Sequence, residues 1–120
     1  MQLEDNVILR FGTSNDTQIS HSGSDFYFSN AIGDVDFYNH QDDGDISFFT
    51  DDGSGGTTAY LTLDGTWKEA KFMVDAKWTD SKKARFGDGD DFTINHDSSN
   101  TFLSNITGGL YIRNLADDQD

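Results

Sequence analysis

The sequence predicts an all-β, elongated and repetitive fold, and three observations predict it. Short segments rich in β-branched and aromatic residues recur roughly every 8–14 residues, with turn clusters between them. A stretch near the start of the chain returns, without a gap, further along. No segment carries a sustained helical period.

Taken in order, the first expected strand covers residues 7–11 (Val-Ile-Leu-Arg-Phe) and ends at the turn cluster 12–16 (Gly-Thr-Ser-Asn-Asp). Residues 17–21 place Ile19 and His21 on one face by the two-residue alternation of a strand. Residues 25–29 (Asp-Phe-Tyr-Phe-Ser) and 35–38 (Val-Asp-Phe-Tyr) follow. Asp42-Asp-Gly44 then introduces residues 46–50, and Asp51-Asp-Gly-Ser-Gly-Gly56 separates these from residues 59–63. Residues 72–78 are the next expected strand; a single helical turn over 67–74 is the rival reading there. Residues 92–96, 101–104 and 110–113 complete the set, with Gly87-Asp-Gly-Asp-Asp91 as the turn before them. The chain contains no Pro, so Gly, Asp, Asn and Ser carry the turn chemistry.

The repeat divides the chain. Arg10-Phe11-Gly12 recurs as Arg85-Phe86-Gly87, and the same register pairs residues 10–45 with 85–120, more than a third of them identical. Asp16 matches Asp91, Ile19 matches Ile94, His21 matches His96, Ser29-Asn30 matches Ser104-Asn105 and Gly33 matches Gly108. Asp5 and Asp80 extend the match upstream. The expected organisation is a first repeat module (1–45), an intervening β segment (46–84) and a second repeat module (85–120). The second copy stops at Asp120, where the first runs on into Ile46, so a segment of a longer chain is expected. Val35 and Phe37 match Leu110 and Ile112, and both pairs read as core.

Composition narrows the class. Leu, Ile, Val and Phe make 27 of 120 residues, and the formal net charge is -14. Such a chain has a thin core for a domain of its size, one that other chains would complete. There is no Cys, which excludes disulfides and thiolate metal sites. The acid is twenty Asp against only Glu4 and Glu69, and this balance argues against a nucleic-acid partner. Six of the eight basic residues lie between Lys68 and Arg85, either as a solvated face or as partners for an Asp-rich surface of another subunit. No apolar run is long enough to span a bilayer, so no membrane insertion is expected. The first residues lack the basic start and apolar stretch of a signal peptide.

The pattern Phe-Gly-x-x-x-Asp-x-x-Ile-x-His, followed by Ser-Asn-x-x-Gly-x-Leu-Tyr-Ile, resembles repeats in tail-fibre and related structural proteins of marine tailed phages, cyanophages among them. Its better copy starts at Phe86-Gly87 and ends in Gly108-Gly-Leu-Tyr-Ile-Arg113. The first copy departs from it at Ala31-Ile-Gly-Asp-Val-Asp-Phe37. The resemblance implies a trimeric, elongated β fibre, β-helix-like or solenoid-like in build. It also implies a location in the virion, after synthesis in the host cytoplasm without a signal peptide. The implied partners are two further copies of the chain and other tail or fibre proteins; a host surface glycan is a further candidate partner, since the resemblance implies a role and an assembly but no receptor.

Four groups of residues are candidates for chemistry. His21 and His96 are metal ligands if each meets its symmetry mates on a three-fold axis; otherwise each is a wall residue hydrogen-bonded to an Asp or a turn carbonyl. Asp42, Asp43 and Asp45, then Asp88, Asp90 and Asp91, then Asp117, Asp118 and Asp120 invite a calcium reading, but none fits an EF-hand loop, and turn formation is the simpler reading. Trp67 and Trp78, with Tyr38 and Tyr60, are either sugar-stacking residues or part of a β core. A glycan-cleaving carboxylate pair would need a groove that no motif marks, and no nucleophile elbow or phosphate loop occurs. The expected function is thus a non-enzymatic fibre module without cofactor. The alternative is a carbohydrate-binding module of a bacterial surface adhesin.

Overall fold

The structure, a computed structural model, describes residues 2–115. It is all-β and extended, with nine strands in three separate antiparallel sheets and no helix among the described residues. The first sheet is the meander β1 (Ile8–Phe11), β2 (Thr17–His21) and β3 (Phe26–Asn30). The second is β4 (Ile46–Asp51), β5 (Thr57–Asp64) and β6 (Glu69–Phe72), and the third is β7 (Lys83–Phe86), β8 (Phe92–His96) and β9 (Thr101–Asn105). Strands pack only against strands of their own sheet. The radius of gyration is 21.4 Å and the extents are 68 × 35 × 33 Å, where a compact chain of this length has a radius near ~14 Å.

The first and third sheets are the same object built twice. Leu9 faces Ile19 and Phe28 across the first sheet, and Ala84 faces Ile94 and Leu103 across the third. Asn6, at φ 66°, donates its N–H to the His21 carbonyl, and Ser81, at φ 65°, does the same to His96. Asn15 and Asp90 both adopt the left-handed conformation, as do Gly23 and Ser98. Asn30 Nδ2 closes β3 by donating to the carbonyls of Ile32 and Gly33, and Asn105 repeats this with Thr107 and Gly108. The repeat is therefore a repeat of turn geometry, held even where the residue changes.

The stretch between the modules forms a third meander. Its first strand also follows a left-handed turn residue, Asp43 at φ 58°. A bulge between Phe48 and Phe49 shifts its register. Asp64 anchors the β5–β6 turn by accepting the Trp67 N–H at 2.8 Å and the Lys71 ammonium at 2.6 Å.

Alternation gives every sheet one apolar face. In the first sheet it is Leu9, Phe11, Ile19, His21, Phe26 and Phe28, with Thr17 and Asn30 at one end; Ile8, Arg10, Gln18, Ser20, Tyr27 and Ser29 stand on the other face. In the second it is Ile46, Phe48, Leu61, Leu63, Ala70 and Phe72, against Ser47, Thr62, Asp64 and Lys71. In the third it is Ala84, Phe86, Phe92, Ile94 and Leu103, with His96, Thr101 and Asn105 at its ends, against Lys83, Arg85, Thr93, Asn95, Phe102 and Ser104. Among the described residues no second sheet covers these faces, and only single side chains such as Phe37 reach them. No apolar side chain is buried among the described residues, and only Thr93 is, on a polar face.

Several expectations change. The chain does not coil into a β-helix or solenoid by itself, since all six strand pairings are antiparallel. Residues 35–38 and 110–113 are not in strands, because they have no neighbouring strand to complete a ladder. Val35, Phe37, Leu110 and Ile112 are consequently exposed rather than core, although Phe37 does meet Phe28 with ring centroids 6.3 Å apart. The strand expected at 72–78 ends at Phe72, and its helical rival does not form. The strand β7 was not expected at all.

One prediction follows from the turns. Gly12 and Gly87 sit at φ 85° and 87°, and a Cβ on either would collide with the carboxylate of Asp16 or Asp91. Gly12→Ala and Gly87→Ala should each destabilise the protein by about 1–3 kcal/mol, read as a lower midpoint in thermal unfolding. Gly53→Ala, at a loop tip with open space around it, should cost less.

Candidate functional site

The two histidines occupy matching positions at the edge of matching apolar faces. His21 Nδ1 lies 3.0 Å from Asp5 Oδ1 and accepts the Gly23 N–H at 3.0 Å. His96 Nδ1 lies 3.3 Å from Asp80 Oδ1 and accepts the Ser98 N–H at 3.1 Å. One nitrogen cannot donate and accept at once, so each ring chooses between its carboxylate and its turn. Either way Nδ1 is taken by the chain itself, and an outside ligand would have to use Nε2. No group of three His, Asp or Glu side chains gathers to hold a metal among the described residues. A metal at His21 or His96 would thus need ligands from beyond the described residues.

The described Asp clusters act as turn hardware. Asp45 Oδ1 accepts the Gly65 N–H at 2.9 Å, and Asp43 holds the left-handed position of its turn. Asp90 pairs with Arg85 at 2.5 Å, and Asp91 Oδ1 accepts the Thr107 hydroxyl at 3.1 Å. The third cluster, Asp117, Asp118 and Asp120, lies outside the described residues. Asp52, which the sequence did not single out, is more heavily engaged: one oxygen accepts the Ser54 hydroxyl and the N–H groups of Ser54 and Gly56. The Ser54 hydroxyl is the main reason its carboxyl sits below the usual range. The Asn100 N–H, and then that of Ser99, lowers Asp97 similarly.

The tryptophans belong to different sheets. Trp67 projects from the β5–β6 turn and is 70 % exposed. Trp78 is 53 % exposed and lines an apolar hollow of about 360 Å³ with Ala84, Ile94, His96 and Thr101. Leu3 takes the equivalent place beside Leu9, Ile19, His21 and Phe26 in the first module. Trp78 thus continues the apolar face of the third sheet. Tyr60 donates its hydroxyl to the Asp51 carbonyl, and Tyr38 stacks on His40. Of the basic stretch, Lys71 and Arg85 are paired within the chain, to Asp64 and Asp90.

No family model, curated protein or solved structure matches the chain. The features to be explained therefore come from the chain itself: three uncovered apolar faces and two matched His–Asp edges.

The first module carries a defect that the second repairs. Asp16 Oδ1 is buried and finds no donor among the described residues, because Ile32 stands where Thr107 serves Asp91. Ile32 is 67 % exposed and contributes little burial. Ile32→Thr should stabilise the protein by about 1–2 kcal/mol and Thr107→Ile should destabilise it comparably, measured as opposite shifts of the thermal midpoint.

A second prediction concerns acid. Asp64 is held below its unfolded value of 3.8, first by the Lys71 ammonium and then by the Trp67 N–H. A depressed carboxyl adds stability that is complete above the unfolded value and is lost as pH falls through the folded one. Thermal midpoints measured from about pH 5 to about pH 2 should fall, and Asp64→Asn should make that fall shallower.

Proposed function

We propose that this chain is a structural module of a viral tail fibre, part of an oligomeric β shaft or tip that supports attachment to a host surface. The observation that carries this reading is that the described residues form nine regular strands and bury no apolar side chain. Such sheets need other chains to complete them, and the 68 Å extent gives the module the proportions of a fibre segment. The working unit is a parallel homotrimer, β-helix-like or solenoid-like only in the sense that three chains together build the repeating wall. Its partners are its own copies, neighbouring tail or fibre proteins, and a host glycan. The virion is its place of action.

The role is mechanical or adhesive rather than catalytic. Equivalent positions in the two modules hold turn and wall residues, whereas an active site normally occurs once and breaks the rules of its scaffold. Weak contacts displayed in several copies can hold a surface through effective concentration.

A second reading, a carbohydrate-binding module of a bacterial adhesin, is favoured by the exposure of Trp67 and Trp78. Solution mass separates the two. Sedimentation equilibrium over a wide concentration range should give three times the 13.3 kDa of one chain; a folded monomer that binds glycans would favour the adhesin. Incubation with host capsular or lipopolysaccharide glycans should give binding without new reducing ends. Cleavage abolished by one Asp→Asn substitution would overturn the non-catalytic reading.

A further inference from the structure

The apolar faces are more specific than a general need for partners. A folded monomer of 13.3 kDa exposes roughly 6,500 Å² by the scaling of surface with mass, whereas this chain exposes 10466 Å². The excess, about 4,000 Å², falls in the range buried by obligate interfaces. Burial is also inverted. In the third sheet Leu103 is 57 % exposed on the apolar face, while Thr93 is 6 % exposed on the polar one. The surplus surface therefore includes the faces that water tolerates least.

Charge identifies the occupant. One residue in four of this chain is charged, yet no Asp, Glu, Lys or Arg stands on the apolar face of the first or the third sheet. Each copy carries a formal charge of -14. Identical polar faces brought together would set like charge on like charge, Arg10 against Arg10 and Lys83 and Arg85 against their own copies, at a cost. These faces are where copies can meet without that cost. The first and third sheets, moreover, present the same face twice, separated by 75 residues of chain. A partner that covers both must carry the same spacing, and this chain carries it.

We propose that the apolar faces are the self-association surface: Leu9, Ile19 and Phe28, Phe48 and Leu61, and Ile94 and Leu103 pack against the same sheets of further copies of this chain, like sheet on like sheet. This rests on the oligomeric reading above and adds to it the face and the register. The polar faces, with Arg10, Lys71, Lys83 and Arg85, look outward in the assembly. His21 and His96 lie at the edge of the contact, where their Asp partners remain in solvent.

Adjacent residues on opposite faces provide the test. Tyr27 and Phe28 are 50 % and 48 % exposed, and Phe102 and Leu103 are 41 % and 57 % exposed, so exposure in one chain does not distinguish them. Phe28→Lys and Leu103→Lys should reduce the sedimentation mass from a multiple of 13.3 kDa towards a single chain, with loss of β circular dichroism. Tyr27→Lys and Phe102→Lys should retain both mass and spectrum. If wild-type protein is oligomeric and the two pairs of variants behave alike, the face assignment fails and the fibre reading survives. If wild-type protein is a folded monomer, both fail. Register is read separately, on the cysteine-free background. Leu103→Cys should cross-link to itself with a short bis-maleimide, while a mixture of Phe28→Cys and Leu103→Cys chains should give no mixed product. Mixed product equal to the self-linked product would overturn the like-on-like register.

Discussion

The structure depends on a single unmet requirement: each of its three sheets has an apolar face, and the described residues provide no second layer to cover it. A stable domain packs at least two layers around its core, and a few strands without such packing are marginal in water. Here the apolar faces are three half-cores. If copies of the chain supply the other half, as proposed above, folding and association become one process and stability depends on protomer concentration, as it does for obligate oligomers. The thin apolar content fits that proposal, since each chain would then need to supply only half of a core.

The acidity has a matching explanation in the backbone. Without proline, the turns rest on left-handed residues and on side chains that accept from nearby N–H groups. Asp52, Asp64 and Asp97 do so, and the donors around them hold their carboxyls low. Many carboxylates can therefore be placed along the chain as turn supports while also keeping its outer surfaces mutually repulsive. The apolar faces of the first and third sheets are free of formal charge, as the proposed contact between copies requires.

Much of the fold was legible in the sequence, and the failures have physical causes. The first and third sheets could be read because alternation and turn residues coincide there, as in Thr17–His21 and Phe92–His96. The strand β7 escaped because Lys83-Ala-Arg-Phe86 has no β-branched residue, although the repeat already set it opposite Ile8–Phe11. Residues 35–38 and 110–113 alternate correctly, but alternation does not supply a hydrogen-bonding neighbour. The site was only half legible. Matching positions for His21 and His96 followed from the register, whereas their capture by Asp5, Asp80 and the turns needed three dimensions. The uncovered state of the faces could not be seen from pattern at all, because alternation marks a face as apolar without saying what lies over it.

The matched turns before β1 and β7 bear on how such a chain could change its length. Asn6 and Ser81 have nearly the same backbone conformation, at φ 66° and 65°, and donate to equivalent carbonyls. A recombination joining one of these positions to the other would splice like backbone to like backbone. It would remove or insert two whole sheets without leaving a scar in the turn. Because no strand pairs with a strand of another sheet, the remaining sheets would lose no ladder. Length in such a chain becomes a heritable variable that can change in whole units, independently of the surfaces at either end.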